Sequence, residues 1–196
     1  MNQNPQTPLR TVVLVSGSGS TLQNLIDLQN RGELPIEIVY VISSRQNAYS
    51  MTRALNHNIP TAAVSKTVDQ IHPDLILLAG YMSKIELDEK YRGKVMNVHP
   101  ALLPAFGGKG MYGHHVHEAV IAGGVKTTGA TVHFVDGEYD TGPIILQKEV
   151  EVLEGDTPET LAERVQAAER EIYPEAIRMY AAGLVSFHSK HSIKNK

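Results

Sequence analysis

TVVLVSGSGSTLQNL, Thr11 to Leu25, decides how the rest of the chain is read. Its first seven residues form a short apolar run rich in β-branched side chains and ending in glycine, the pattern of a parallel strand covered on both faces. Leu22 and Leu25, with Ile26 just beyond, recur at helical spacing, and Gly32 stands where that helix would stop. Between strand and helix lies a glycine turn, Ser16 to Thr21. Strand, turn and helix in this order predict the opening of a parallel α/β sheet.

The pattern continues. IEIVYVISS, Ile36 to Ser44, reads as a second strand, and a helix over about 48–56 leads to a short third strand at PTAAVS. DLILLAGY, Asp74 to Tyr81, is a buried strand. A charged helical stretch around Glu86 to Tyr91 precedes the strand VMNVH, and a helix over about 112–122 follows a loop rich in glycine and proline. ATVHFVD and GPIILQKEVEV read as two more strands, not necessarily parallel to the others, with a turn around Gly137. The last element, Thr157 to Ala182, carries Leu161, Val165, Ala168 and Ile172 on one stripe. Asp156 or Thr157 offers a cap ahead of Pro158, and Pro174 is expected to kink the helix. The fold expected is a single-domain, Rossmann-like α/β fold over residues 10–188: a mostly parallel central sheet of about seven strands, flanked by helices, with a long C-terminal helix. Residues 1–9 and 189–196 are polar and patternless and are expected to be disordered tails. Between Ser65 and Asp74 lie only eight residues, too few for the full helix of an ordinary parallel crossover.

The chain has 196 residues, 42% hydrophobic and 20% charged, with a formal net charge of -3. That suits one globular domain with a real core. No basic patch interleaved with aromatics suggests nucleic acid, and no apolar run approaches the roughly 18 residues that span a bilayer. The expectation is a cytoplasmic protein acting on small polar molecules, as a monomer or homodimer. There is no cysteine, which excludes disulfides, thiolate metal sites and cysteine nucleophiles.

Three stretches carry chemistry. In SGSGSTLQNL the turn's backbone N–H groups and the helix N-terminus suit a phosphate, with the hydroxyls of Ser20 and Thr21 as further donors. A dinucleotide fingerprint would need a third glycine where Leu22 stands, which disfavours NAD. In NVHPALLP, Asn97 and His99 are two apart on a strand and so share a side at its carboxyl end, where open α/β sheets bind ligands. In DGEYDTGPIILQ, Asp140 sits in a loop ahead of a buried strand; a carboxylate beside a histidine orients it and raises its pKa. GHHVHEAV, with His114, His115, His117 and Glu118, lacks the HExxH spacing and any cysteine partner, so no metal is expected there.

Together with LILLAGYM, GKGMYGHHVHEAV, TGATVHFVDGEYDTGPIILQ and QAAEREIYP, these motifs resemble the formyltransferase family that uses 10-formyltetrahydrofolate. The resemblance implies transfer of a formyl group from 10-formyltetrahydrofolate to the amino group of glycinamide ribonucleotide, a step of purine synthesis. It implies Asn97, His99 and Asp140 as the catalytic trio: Asn97 on the formyl oxygen, His99 on the oxyanion and on proton movement, Asp140 supporting the histidine and an ordered water. Gly19, Ser20 and Thr21 match the family's phosphate turn, and Glu169 a glutamate that meets the amine substrate. The folate would lie along Met82, Ser83, Lys84 and Ile85, beside Asn97, and along Val135, Asp136, Gly137, Glu138, Tyr139 and Asp140. The chain departs from the family pattern at the short Ser65 to Asp74 connection, at Ser83 where arginine is common, and at Thr21 where asparagine is frequent. A formyltetrahydrofolate hydrolase, or a non-catalytic binding homologue, is the alternative.

Overall fold

The computed structural model describes residues 7–63, 68–85, 88–188 and 193–194, and the chain falls into two compact units, Met1–Ser83 and Lys84–Lys196.

In the first unit four strands lie in the order β3-β2-β1-β4, all parallel: β1 is Leu9–Val15, β2 Ile36–Ser43, β3 Thr61–Ala63 and β4 Leu75–Leu78. β1 starts two residues before the apolar run, because Leu9 and Arg10 already pair with Ile36 and Glu37. Val12, Val13, Leu14 and Val15 are at most 1% exposed, as expected of a strand flanked on both edges and covered on both faces. Two helices follow: α1, Ser20–Asn30, seats Leu22, Leu25, Ile26 and Leu28 in the core, and α2 is Tyr49–Asn56. Each such side chain stabilises the fold by about 2 kcal/mol. Among the described residues of the shortened connection the one helix is the four-residue α3, Val68–Ile71; residues 64–67 lie outside the described ones.

In the second unit the strand order is β5-β6-β7-β8, with β5 Val95–His99, β6 Thr127–Phe134, β7 Ile144–Glu151 and β8 Ile193–Lys194. β5 and β6 are antiparallel, as are β6 and β7, while β8 is parallel to β7. β8 corrects the expectation that 189–196 is a tail throughout: the open edge of β7 offers unpaired backbone groups, and two residues take them. Of the charged stretch expected as a helix over Glu86 to Tyr91, Glu86 and Leu87 lie outside the described residues. The rest forms only a 3-10 turn, Glu89–Tyr91, capped by Asp88. Helix α4, His114–Ala122, begins two residues later than expected because Gly113, at φ 54 and ψ -129, holds a backbone conformation that helical residues do not adopt.

The long helix α5, Pro158–Ala181, starts from a capping box in which Thr157 accepts from the Thr160 N–H and Thr160 accepts from that of Thr157. Pro174 lies inside it. The Tyr173 hydroxyl donates to the Met96 carbonyl at 3.1 Å, fastening α5 to β5 from within the core. No described helix is long and apolar enough to cross a membrane.

Candidate active site

In the first unit the chain leaves β1 at Ser16, whose buried hydroxyl lies 2.6 Å from that of Ser44 and accepts the Met82 N–H at 2.8 Å. Ser16 therefore ties the ends of β1 and β2 to the segment after β4. The glycine turn follows. Gly19 caps α1 in the left-handed region, φ 75 and ψ 31, and a Cβ there would meet Ser50 Cβ at 2.6 Å. Backbone conformation and space both demand glycine. The Gln23 N–H is the first to find a helical partner, the Gly19 carbonyl at 2.9 Å. The N–H groups of Ser20, Thr21 and Leu22 lead α1 without an intrahelical acceptor, at its positive end. Ser20 is exposed and Thr21 half-buried, so both hydroxyls are accessible.

The catalytic candidates lie in the second unit. β5 carries Asn97 and His99, and antiparallel pairing sets them opposite His133 and Thr131 of β6. The Asn97 side-chain amide lies 3.2 Å from His133 Nε2. His133 Nδ1 is 2.8 Å from the Phe134 carbonyl, which can only accept, so Nδ1 carries the proton and Nε2 receives one of the Asn97 N–H bonds. The second amide hydrogen of Asn97 stays available.

His99 is 3% exposed, and its Nε2 lies 2.8 Å from the Phe106 carbonyl, so Nε2 carries the proton. Its Nδ1 faces Asp140 Oδ2 at 3.6 Å, while Asp140 Oδ1 lies 3.5 Å from His133 Nε2. One carboxylate thus stands between two buried imidazoles. Asp140 has φ 57, a left-handed conformation uncommon outside glycine and a source of about 1 kcal/mol of strain. Its Oδ2 also accepts the Gly108 N–H at 3.0 Å, which joins its loop to the one after β5.

Burial raises the Asp140 pKa, but the His133 and His99 rings in their protonated form, together with the Gly108 N–H, outweigh it and lower Asp140 below the ordinary carboxylate value. For His99 the balance differs from expectation. Burial dominates and lowers its pKa below the ordinary 6.5; Asp140 and the Phe106 carbonyl act in the opposite sense without prevailing. The resting ring is neutral, with Nδ1 open to a proton.

Thr131 props the turn that follows the trio strand. Its hydroxyl donates to the Ala101 carbonyl at 2.6 Å and accepts the Leu103 N–H at 3.1 Å. Gln147 of β7 donates to that hydroxyl and to the Leu103 carbonyl, both at 3.0 Å.

Sequence reasoning missed His133, which reads as one more residue in a buried strand. The available signal was its alternation with Thr131 on β6, facing the alternation of Asn97 and His99. Glu169, on α5, is 9% exposed, and burial raises its pKa to about 7. The folate candidates are spread out. Met82 is half-exposed, with its sulfur 3.8 Å from the Arg45 guanidinium. Ser83 is exposed, and Ile85 is half-buried. Lys84 makes a loose, exposed pair with Glu138 at 3.9 Å, a contact of little energetic weight. Val135 is buried and bonded to Val95 through its N–H. Asp136 folds its loop by accepting from the Glu138 N–H and the Thr141 hydroxyl, with Gly137 at the bend; Tyr139 is exposed. In GHHVHEAV, His114 faces Glu118 and Glu159 at 3.4 and 3.5 Å, and His115 faces Glu118 at 3.1 Å, whereas His117 is buried.

The sequence pattern of the formyl transferase family matches residues 9–177. The trifunctional purine biosynthetic protein adenosine-3 of Bos taurus is 39% identical over 90% of this chain, which spans about a fifth (19%) of that relative's length. The crystal structure of glycinamide ribonucleotide transformylase 1 from Symbiobacterium toebii superposes with a TM-score of 0.83 at 38% identity, covering 91% of this chain and 90% of that one. A formyltetrahydrofolate deformylase from Pseudomonas syringae superposes at 0.84 with 27% identity, covering 98% of this chain and 66% of the other. With most of its length matched, the chain belongs to the formyl transferase family.

Proposed function

We propose that this formyl transferase moves the formyl group of 10-formyltetrahydrofolate to the amino group of glycinamide ribonucleotide in purine synthesis. The observation that carries the reading is the Asn97, His99, Asp140 cluster: an amide with a free hydrogen, a neutral imidazole with an open Nδ1, and a carboxylate 3.6 Å from that nitrogen.

The chemistry uses these groups in turn. The substrate amine attacks the formyl carbon, and the carbonyl electron pair moves onto oxygen, where the second Asn97 N–H stabilises the developing charge. The attacking nitrogen must lose one proton, which His99 accepts at Nδ1. The imidazolium then faces the ionised Asp140, which stabilises it. The carbon–nitrogen bond to the folate breaks, and the proton passes to the departing nitrogen. His133 holds the Asn97 amide in place. In this reading Gly19, Ser20 and Thr21 receive the ribonucleotide phosphate and Glu169 the glycinamide end. Met82 to Ile85 and Val135 to Asp140 receive the folate.

Likeness to a deformylase favours a second reading, hydrolysis, because the same trio serves when water replaces the amine. One assay separates them: formyl transfer and formate release followed with and without glycinamide ribonucleotide. Product formation that requires the amine supports the transferase; formate release that ignores the amine overturns it.

A further inference from the structure

Helix α2 lies against the glycine turn, and its Arg53 belongs to no part of the proposed chemistry. Arg53 Nε donates to the Ser18 carbonyl at 2.9 Å, Nη1 donates to Gln23 Oε1 at 3.1 Å, and the guanidinium lies 4.9 Å from the centre of the Tyr49 ring. Three contacts hold this side chain: a carbonyl of the turn, a side chain of α1 and an aromatic face of its own helix. A planar fork suits such a task, and a lysine could not make all three contacts. Gln23 is itself fixed by donating to Asp27 Oδ1 at 2.8 Å. Beside Arg53, the Ser50 N–H donates to the Gly17 carbonyl at 3.2 Å. Two successive carbonyls of the turn therefore point at α2.

Peptide planarity turns this into a statement about donors. In a trans peptide the carbonyl and the following N–H point in opposite directions. Fixing the Gly17 and Ser18 carbonyls on α2 directs the N–H groups of Ser18 and Gly19 away from it. They join those of Ser20 and Thr21, which lead α1, so the turn offers a run of donors to an anion.

We propose that Arg53 is the positioning residue of the phosphate turn: by holding the Ser18 carbonyl it keeps the donor run aimed outward, and so sets how strongly the enzyme prefers a phosphorylated amine. The inference rests on the reading of this turn as the phosphate site. Arg53 acts through the backbone, so its loss should weaken binding and leave the formyl-transfer step alone.

The test compares glycinamide ribonucleotide with its dephosphorylated riboside as formyl acceptors, for the unaltered protein, Arg53→Gln and Arg53→Lys. For Arg53→Gln the expected result is a KM for the ribonucleotide raised about tenfold, kcat within twofold, and kcat/KM for the riboside unchanged. Arg53→Lys, which keeps one donor and the charge, should fall between. If ribonucleotide and riboside lose kcat/KM equally, or if KM does not move, Arg53 is a structural residue of α2 and the proposal fails. If Arg53→Gln does not fold, as judged by thermal unfolding, Arg53→Lys alone decides by the same ratio. If the unaltered protein itself does not distinguish ribonucleotide from riboside, it is the phosphate reading of the turn that falls.

Discussion

The glycine turn of the first unit and the trio of the second are built from opposite materials. The turn is backbone: N–H groups at a helix start, a glycine that no other residue can replace, and accessible hydroxyls at its rim. The trio is side chain: the Asn97 amide, the buried His99 ring and the Asp140 carboxylate, which stands between that ring and the buried His133. A backbone site fixes its donors when the chain folds and needs no ionisable group, so it suits recognition of a permanent charge. A site of buried titratable groups spends stability to hold protons ready, and suits chemistry in which charge appears and disappears.

If that contrast holds, the largest effect should come from the trio. His99→Ala or Asp140→Asn should lower kcat by about 100-fold or more. The double variant should be little worse than His99→Ala alone, since the carboxylate would have lost the ring it serves. Additive losses would mean that Asp140 works mainly through His133 or water. Asp140→Asn also removes the charge that favours imidazolium, so the His99 pKa should fall further and the acid limb of the kcat profile should move to lower pH. An acid limb that stays in place would detach Asp140 from His99.

Glu169 gives an effect read in stability rather than in rate. Its pKa is about 7 in the fold against an ordinary 4.5, so the folded protein holds a proton that the unfolded chain has lost between those values. Stability should therefore decline as pH rises from 4.5 to 7 and level off above. The total is about 3 kcal/mol, from roughly 2.5 pKa units at 1.36 kcal/mol each. Glu169→Gln should remove most of this decline, so denaturant unfolding should show the variant more stable than the parent at pH 8 and about equal at pH 4.5. Parallel stability curves for the two proteins would show that Glu169 is solvated in solution.

The smallest effect is expected at the turn's rim. Thr21→Ala removes one hydroxyl but no backbone donor, so KM for the ribonucleotide should rise only about fivefold, near 1 kcal/mol. A loss approaching that of the trio would show that the turn binds through side chains after all.

Much of this was legible in the sequence because it is local. The apolar run of β1, the glycine turn, and the two-residue spacing of Asn97 and His99 all announce themselves within a few positions. His133 did not, because its role depends on β6 lying antiparallel beside β5 in a register that puts it opposite Asn97, a fact no short window contains. The direction of the His99 pKa differs from the expected one for a related reason: the motifs place a carboxylate near the ring, but no local pattern gives the depth of burial that outweighs it. The strand at Ile193–Lys194 escaped notice because its polar surroundings carry no periodicity, and only the open edge of β7 makes it a strand.

The Thr131 bracket has a consequence on a slower timescale. The Leu103 amide lies in an irregular stretch, yet its hydrogen is held by a hydroxyl with no solvent exposure, itself fixed by Gln147 of the next strand but one from β5. In deuterated water that amide cannot exchange through a flicker of its own loop; it must wait until β6 parts from the turn. A slow Leu103 amide would then clock the opening of the sheet beneath the trio.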